Sequence, residues 1–353
     1  MNQNSSIDPI RLAIPSKGHL YDGLIEILKS AGYKIRRASD RQYEATIAGH
    51  GRFHVVFMRP TDIVEQVREG RCHLGVTGFD VYAEHSHNTT GTSVIIQDMG
   101  YGGCRLVVAV PESWIDVTHV MDLADLTHRF KAEGKIFRIS TKYANLTRDF
   151  FRQRGIHDYR VVASDGALEL HPSLGIADII VDLTSSGVTL KDNRLRELTG
   201  GKILESAACL IGHTASLKSL GAEGPSAPLA LLLDSIDAVR LADGRVQLEV
   251  TGGFPENVEN QTLYMKKVLD VLAAHGATRL TWWPVKLEEA KEGWHVGGLT
   301  GPRGLTSCRR SLLDLGARSV VGLMPRLCLD QDDHSTFENL KRHLTSINGN
   351  GNI

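Results

Sequence analysis

The residues best suited to chemistry lie in one short segment, where an apolar strand runs directly into a loop of hydroxyl side chains. Residues 179–189 read IIVDLTSSGVT. The loop consists of Thr184, Ser185, Ser186, Gly187, Val188 and Thr189. Such a loop can direct backbone N–H groups and hydroxyls at one phosphate. Ligands of open α/β sheets usually bind at the carboxyl ends of strands, so the sequence predicts a phosphate site here.

Asp182 stands near the end of the same predicted strand. Its carboxylate is placed to accept hydrogen bonds from sugar hydroxyls next to a bound phosphate. The alternative is a polar turn that only caps the following segment, because Ser, Thr and Gly are ordinary turn residues. The residues alone leave both interpretations open.

The elements that position this loop alternate between short β-branched runs and helical segments. This pattern is typical of α/β domains with largely parallel sheets. Residues 21–33 and 60–70 carry apolar side chains at helical spacing and end at glycines. The candidate strands are Arg11–Pro15, Phe53–Met58, Leu74–Thr77, Val94–Gln97, Arg105–Val110, Phe137–Thr141, Tyr159–Ala163 and Ile179–Leu183.

A stretch rich in Gly, Ser and Pro, residues 216–228, indicates a linker or a sharp change of direction. The order βαββαβ follows, which is the ferredoxin-like split unit. Its predicted elements are strands 245–250, 278–286, 294–299 and 319–327, and helices 259–275 and 306–316. The polar tail from Asp330 receives no assignment.

Composition excludes several classes of protein. The 353 residues suit two or three domains, and 40 basic against 41 acidic residues give a net charge of −1. A neutral chain with 6% aromatic residues offers little for nucleic acid or a membrane surface. Five scattered cysteines form no C-x-x-C pair and indicate buried thiols in a reducing compartment. With no signal peptide or membrane span in the sequence, we expect a soluble cytoplasmic protein.

One pattern in this region comprises Glu169, Gly175, Ala177, Ile180, Asp182, Leu183, Ser186, Gly187, Thr189 and Leu190. It resembles the signature of the ATP phosphoribosyltransferases, which join ATP to 5-phosphoribosyl-1-pyrophosphate in the first step of histidine biosynthesis. Further segments, 11–20, 59–63, 74–80, 100–111, 141–151 and 203–211, resemble the family in the same order. The resemblance therefore extends from about residue 10 to residue 220.

The resemblance implies an α/β fold with a two-lobed, periplasmic-binding-protein-like catalytic unit of mixed and parallel sheets. A C-terminal ferredoxin-like or ACT-like βαββαβ domain follows it. The implied ranges are 8–105 and 185–220 for the first lobe, 106–184 for the second, 221–335 for the regulatory domain and 336–353 for a polar tail.

The resemblance also assigns roles to residues. It places the donor's 5′-phosphate in the loop 184–189 and its ribose hydroxyls against Asp182, with Glu169 facing the site. Lys17 matches a lysine suited to the pyrophosphate, and Arg59 matches an arginine at the lobe interface. Mg²⁺ is the expected cofactor. It is bound chiefly by the substrate, so no dedicated protein metal site is expected. L-Histidine is the expected effector, and a homo-oligomer, dimer to hexamer, the expected assembly.

Two departures from the family pattern bear on the acceptor. His19 and Phe79 stand where many relatives carry basic residues, which weakens the expectation for triphosphate recognition. A divergent paralogue with the same donor and another nucleophile is therefore one alternative. A non-catalytic small-molecule sensor or regulatory subunit is another. In the C-terminal domain, Trp282 and Trp283 are expected to serve as core or dimer contact rather than as a ligand cage.

Overall fold

The computed structural model describes residues 8–39, 41–86, 90–224, 226–255, 258–287, 292–301, 308, 310–325 and 336–349. The chain divides into two compact units. The first comprises residues 1–29, 33–231 and 336–353, and the second comprises residues 30–32 and 232–335. Two sheets belong to the first unit and one to the second.

Strands and helices alternate through the first unit. In chain order they are β1 (Ile10–Pro15), α1 (His19–Ser30), β2 (Ile35–Arg36), β3 (Glu44–Ile47), β4 (Phe53–Met58), α2 (Pro60–Arg68), β5 (Leu74–Gly78), α3 (Phe79–His85), β6 (Thr92–Ile96), β7 (Cys104–Pro111), α4 (Asp122–Ala132), β8 (Arg138–Thr141), α5 (Ala144–Gln153), β9 (Arg160–Ala163), a 3-10 turn (Leu168–Leu170), β10 (Ile179–Thr184), α6 (Val188–Asp192), β11 (Leu195–Ser206), β12 (Ala208–His213) and α7 (Thr214–Gly221). Helix α8 (Pro228–Ala242) contains the boundary with the second unit.

The first lobe is a seven-stranded sheet in the order β2-β3-β4-β1-β5-β12-β6. Strands β4, β1 and β5 run parallel, and β12 is antiparallel to its neighbours β5 and β6. Strand β1 lies between two parallel neighbours and is almost entirely buried, which explains its continuous apolar run. Helix α2 packs Ile63, Val64 and Val67 into a core shared with β12.

The second lobe is a five-stranded sheet in the order β11-β7-β10-β8-β9. Strand β10 is central: it runs parallel to β8 and antiparallel to β7. The core is built on aromatic side chains of α5 and on the strands, with Phe137 and Phe151 fully buried. The chain enters this lobe between β6 and β7 and leaves it between β11 and β12.

The sequence prediction placed the return of the chain from the second lobe to the first at residue 185, and the structure corrects this position. Strand β11 pairs antiparallel with β7 over most of its length. Residues 185–206 therefore stay with the second lobe, and the chain returns to the first only at β12. The polar segment after Pro111 has a helical pattern from residue 112, but α4 begins only at Asp122.

The second unit confirms the predicted βαββαβ order. Its elements are β13 (Val246–Gly253), α9 (Gln261–Ala274), β14 (Thr278–Lys286), β15 (Glu292–Thr300) and β16 (Ala317–Leu323), and residues 308 and 310–314 are helical. The strands form an antiparallel sheet in the order β14-β15-β13-β16. Trp282 packs against the core of this unit. Trp283 is 45% exposed and stacks on His295 with ring centroids 4.5 Å apart.

The predicted polar tail, 336–353, is also corrected. Residues Thr336–Gly349 form helix α10. Its side chains Phe337, Leu340 and Leu344 are buried, and the helix packs against α7 and β6 of the first lobe. The apolar residues of this segment, Phe337, Leu340, Leu344 and Ile347, are few among polar residues, so its helical pattern is weak in the sequence.

The α/β class and the two-lobed plan with a C-terminal βαββαβ unit are confirmed by these sheets. The second compact unit begins at residue 232, whereas the sequence suggested a boundary at 221. Among the described residues, no helix is both long and apolar enough to cross a membrane.

Candidate active site

The hydroxyl loop follows the central strand of the second lobe and is held by its own side chains. Thr184 is buried, and its Oγ1 accepts a hydrogen bond from the Gly187 N–H at 2.9 Å. Ser186 Oγ accepts one from the Val188 N–H at 3.4 Å. Gly187 has a φ of 76° and precedes the first residue of α6, a backbone conformation that favours glycine. Two hydroxyls thus form the turn, and the exposed Ser185 and Thr189 are left for a ligand.

Asp182 is half-buried just before this loop, and its environment contains charges from two other segments. Its Oδ1 accepts a hydrogen bond from the Leu183 N–H at 2.8 Å. Burial raises the pKa of the Asp182 carboxyl above its usual range, and the Glu169 charge raises it further, whereas the Leu183 N–H and the Lys142 charge act in the opposite direction. The charge of Glu169 thus acts on Asp182, and the two residues belong to one candidate site.

Lys142 belongs to the same site and was not singled out from the sequence. It follows β8, which runs parallel to β10, so both strands end at the same edge of the sheet. A lysine directly after a buried β-branched strand was the available signal. Its charge next to Asp182 suits a polyanionic ligand.

Lys17 and Arg59 lie on the other lobe. Each follows one of two paired parallel strands, Lys17 after β1 and Arg59 after β4, and both are exposed at one edge of the first sheet. Arg59 is the residue before α2, which begins at Pro60. Within the described residues, neither side chain has an ion-pair partner, so both cations are available to an anion. In the described part of the chain, no hydrogen bond or ion pair joins them to Asp182 or Glu169.

A cavity of about 460 Å³ opens where the chain crosses between the lobes. Its wall is formed by residues 97–105 on the way into the second lobe, residues 205–207 on the way out, and Phe79 at the start of α3. Ser185 is the one member of the predicted site that lines it. The cavity is thus adjacent to the hydroxyl loop.

The cavity wall offers little positive charge. The described residues that line it carry two carboxylates, Asp98 and Glu205, against one guanidinium, Arg105. Arg105 is already paired with Glu197 at 3.2 Å, and Glu205 with Lys202 at 2.6 Å. Phe79 contributes an aromatic ring where a basic side chain was expected. The wall therefore suits an uncharged aromatic group better than a phosphate.

A buried hydrogen-bond network lies directly behind this wall. Asp80 accepts hydrogen bonds from Ser206 Oγ on Oδ1 at 2.7 Å and from the Tyr143 hydroxyl on Oδ2 at 2.6 Å. Burial, together with the Asp80 charge and hydrogen bond, raises the pKa of the Tyr143 phenol, so Tyr143 is a donor. Glu84 accepts hydrogen bonds from the N–H groups of Asn145 and Leu146 at 2.8 and 3.0 Å, at the start of α5.

The cysteines take no part in a metal site within the described residues. Burial raises the pKa of the Cys72, Cys104 and Cys308 thiols and raises that of Cys209 to about 12. Cys328 lies outside the described residues. The described part of the chain contains no group of three or more His, Cys, Asp or Glu side chains that could hold a metal ion. It offers a hard cation the two carboxylates of Asp182 and Glu169.

The chain is similar to proteins of known function. The family profile described as HisG, ATP phosphoribosyltransferase, matches residues 59–236. An ATP phosphoribosyltransferase of Bradyrhizobium sp. (strain ORS 278) is 40% identical over 232 residues, 65% of this chain and 70% of that relative. One from Chelativorans sp. (strain BNC1) is 44% identical over 205 residues, 57% of this chain and 89% of that relative.

Among solved structures, the ATP phosphoribosyl transferase (HisG:HisZ) complex from Thermotoga maritima aligns with a TM-score of 0.47 at 25% identity, covering 65% of this chain and 98% of that one. The periplasmic aliphatic sulphonate binding protein SsuA from Escherichia coli aligns with a TM-score of 0.40 at 14% identity, covering 67% of this chain and 75% of that one.

Proposed function

The chain belongs to the ATP phosphoribosyltransferase family, and we propose that it transfers the phosphoribosyl group of 5-phosphoribosyl-1-pyrophosphate to N1 of ATP, the first step of L-histidine biosynthesis. One observation carries the proposal: Asp182, Glu169 and the hydroxyl loop 184–189 share one end of the second sheet. This arrangement pairs a phosphate cradle with a carboxylate for sugar hydroxyls, and that combination suits a phosphoribosyl donor.

Different residues of the described chain bind the donor and the acceptor. The loop binds the 5′-phosphate, and Asp182 accepts hydrogen bonds from the ribose hydroxyls. Lys17 and Arg59, whose side chains are exposed at the edge of the first sheet, attract the departing pyrophosphate. The cavity beside Ser185 receives the acceptor. The lone pair on N1 forms a bond to C1′ as the bond between C1′ and the pyrophosphate oxygen breaks. The electron pair of the broken bond leaves with pyrophosphate.

No covalent nucleophile is needed in this reaction. The acceptor nitrogen is itself the nucleophile, so the enzyme's task is to hold two substrates in line and to stabilise the separating charges. Lys142, Lys17 and Arg59 stabilise the separating charges.

We propose Mg²⁺ as the cofactor. The Asp182 and Glu169 carboxylates fit a hard cation that prefers oxygen ligands, and a two-carboxylate set matches an ion bound mainly through substrate oxygens. When bound, Mg²⁺ supplies positive charge to the pyrophosphate as it leaves.

The proposal is tested by incubating the protein with both substrates, Mg²⁺ and a pyrophosphatase that draws the equilibrium forward. Mass spectrometry should detect N1-phosphoribosyl-ATP. Binding of the donor by calorimetry without product from ATP would favour the divergent paralogue. The departures His19 and Phe79, and a cavity wall with two carboxylates against one guanidinium, support that alternative. Donor binding with no turnover on any acceptor would favour a sensor or regulatory subunit.

Phe79→Arg should lower the KM for ATP. The new guanidinium would enter a cavity wall that has one guanidinium against two carboxylates. A charge-assisted hydrogen bond to a phosphate contributes about 1.5–3 kcal/mol, so a decrease of about tenfold is expected. Phe79→Leu is the matched control, because it changes the ring without adding charge. A KM that is unchanged or higher in Phe79→Arg would mean that the acceptor's phosphates bind outside this cavity.

We propose that the βαββαβ unit is an ACT-like regulatory domain that binds L-histidine and that the chain forms homo-oligomers in the cytoplasm. The strand order of the unit supports the first point. Millimolar L-histidine should lower the transfer rate, while D-histidine at the same concentration should not. An unchanged rate, with the near-ultraviolet tryptophan signal of the folded domain retained, would reassign the domain to assembly or to another effector.

A further inference from the structure

We infer that Asp80 is a positioning residue for the proposed transfer, because its buried carboxylate fixes the wall of the acceptor cavity relative to the donor site. The inference rests on the proposed function and names a residue that touches neither substrate. Asp80 is 5% exposed, so its charge is removed from solvent.

The charge of Asp80 is satisfied by neutral donors. Ser206 Oγ and the Tyr143 hydroxyl each donate to one carboxylate oxygen, and the Asp80 N–H donates back to Ser206 Oγ at 2.9 Å. In the part of the chain that the structure describes, no lysine, arginine or histidine forms an ion pair with it. A buried carboxylate without a cation is costly unless all its hydrogen bonds are made. Both donors are therefore held firmly in place.

The two donors come from different parts of the fold. Asp80 belongs to α3 of the first lobe, Tyr143 precedes α5 of the second lobe, and Ser206 ends β11 where the chain crosses back. A rotation of one lobe against the other would remove a donor and leave a buried charge unsatisfied. Glu84, also on α3, adds a second tie by capping the start of α5.

Each of the two hydrogen-bond donors also lies next to a proposed substrate subsite, Ser206 at the acceptor cavity and Tyr143 at the donor site. Ser206 lines the cavity, as does Phe79, the neighbour of Asp80 in the chain. Tyr143 directly follows Lys142, whose charge acts on Asp182. Asp80 thus connects the wall of the acceptor cavity with the donor site through two hydrogen bonds. A misplacement of about 1 Å between reacting groups can cost about 100-fold in rate, so such a connection matters for turnover.

Tyr143→Phe tests this inference without changing the ring, and Tyr82→Phe is the matched control. The Tyr82 hydroxyl lies on the same helix as Asp80, and its one hydrogen-bond partner among the described residues is Thr92 Oγ1 at 3.4 Å. Loss of a hydrogen bond to a charged group corresponds to about tenfold or more. We expect Tyr143→Phe to lower kcat about tenfold or more and to raise the KM for ATP. The calorimetric Kd for the donor should stay within about threefold, because the loop and Asp182, which hold its phosphate and ribose, are built on the second lobe, and Lys17 and Arg59 of the first lobe act mainly on the pyrophosphate as it leaves. Asp80→Asn should have the larger effect, and Tyr82→Phe almost none.

Wild-type kinetics in Tyr143→Phe would overturn the inference, as would a loss of donor affinity that parallels the loss of turnover. If Asp80→Asn does not fold, Tyr143→Phe still decides the question. The wild-type protein is assayed alongside, so absence of product there would refute the proposed function itself. Wild-type product with an unaffected Tyr143→Phe variant would refute only the role of Asp80.

Discussion

Asp182→Asn is expected to lower the rate of phosphoribosyl transfer by about 100-fold or more, while leaving the protein at least as stable as the wild type at neutral pH. The carboxylate is proposed to accept hydrogen bonds from two ribose hydroxyls, and each charge-assisted bond contributes about 1.5–3 kcal/mol. Asparagine keeps the oxygen that accepts from the Leu183 N–H. The substitution therefore removes the charge and preserves the local geometry.

The stability of this variant follows from the direction of the pKa shift. Burial and the Glu169 charge raise the pKa of Asp182, so the native state binds the proton more tightly than the unfolded state does. This contribution to stability is present below the ordinary carboxyl pKa and is lost as the pH rises through the raised value. At neutral pH the ionised carboxyl destabilises the fold, and asparagine removes that cost. Thermal unfolding at neutral and at acidic pH should show the advantage of Asp182→Asn shrinking as the pH falls.

Asp178→Asn is the matched control, because Asp178 lies just before the same strand and its carboxylate makes structural contacts. Its carboxylate accepts from the Arg138 N–H at 2.7 Å and forms an ion pair with the Arg138 guanidinium at 3.3 Å. We expect Asp178→Asn to lower the melting temperature and to keep turnover within a few fold. If Asp182→Asn instead loses stability in proportion to activity, its carboxylate is structural and the donor-site assignment fails.

Four strands of the two lobes could be predicted closely from their apolar runs. Strands β1, β4, β7 and β10 are apolar runs with sharp ends, and their predicted bounds agree with the structure to within one or two residues. Strand β11 escaped prediction because glycines and charged residues interrupt it. Its pairing with β7 shifts register around Gly200 and Gly201, and its burial pattern does not alternate. Such a strand is specified by its partner rather than by its own sequence.

The candidate site also has a part that a local sequence pattern could predict and a part that it could not. The loop 184–189 and Asp182 are adjacent in the chain, so a local pattern could reveal them. The acceptor cavity and the network of Asp80 join segments far apart, and Ser206 is 126 residues from the aspartate that it contacts. No local spacing encodes such a contact. Lys142 and Tyr143 were missed for the same reason, because their roles depend on which strand lies beside β8.

Phe337→Ala is expected to destabilise the first unit by about 3–5 kcal/mol, the usual cost of removing a fully buried phenylalanine. Phe337 is 1% exposed on α10, which packs against α7 and β6 although the sequence of this tail is mostly polar. Loss of the ring leaves a cavity under the helix, so α10 should open more often and expose the edge strand β6.

Hydrogen exchange with mass spectrometry tests this directly and does not depend on any enzymatic assay. Peptides from β6, α7 and α10 should exchange faster in Phe337→Ala, while peptides from β13 and β15 keep the wild-type rate, because they belong to the second unit. Thr345→Ala is the control on the same helix, since its side chain is exposed and should change stability by no more than about 0.5 kcal/mol. Equal exchange in the two variants would mean that α10 contributes nothing to the first unit. Faster exchange confined to Phe337→Ala would show that a segment which follows the second unit in sequence completes the fold of the first.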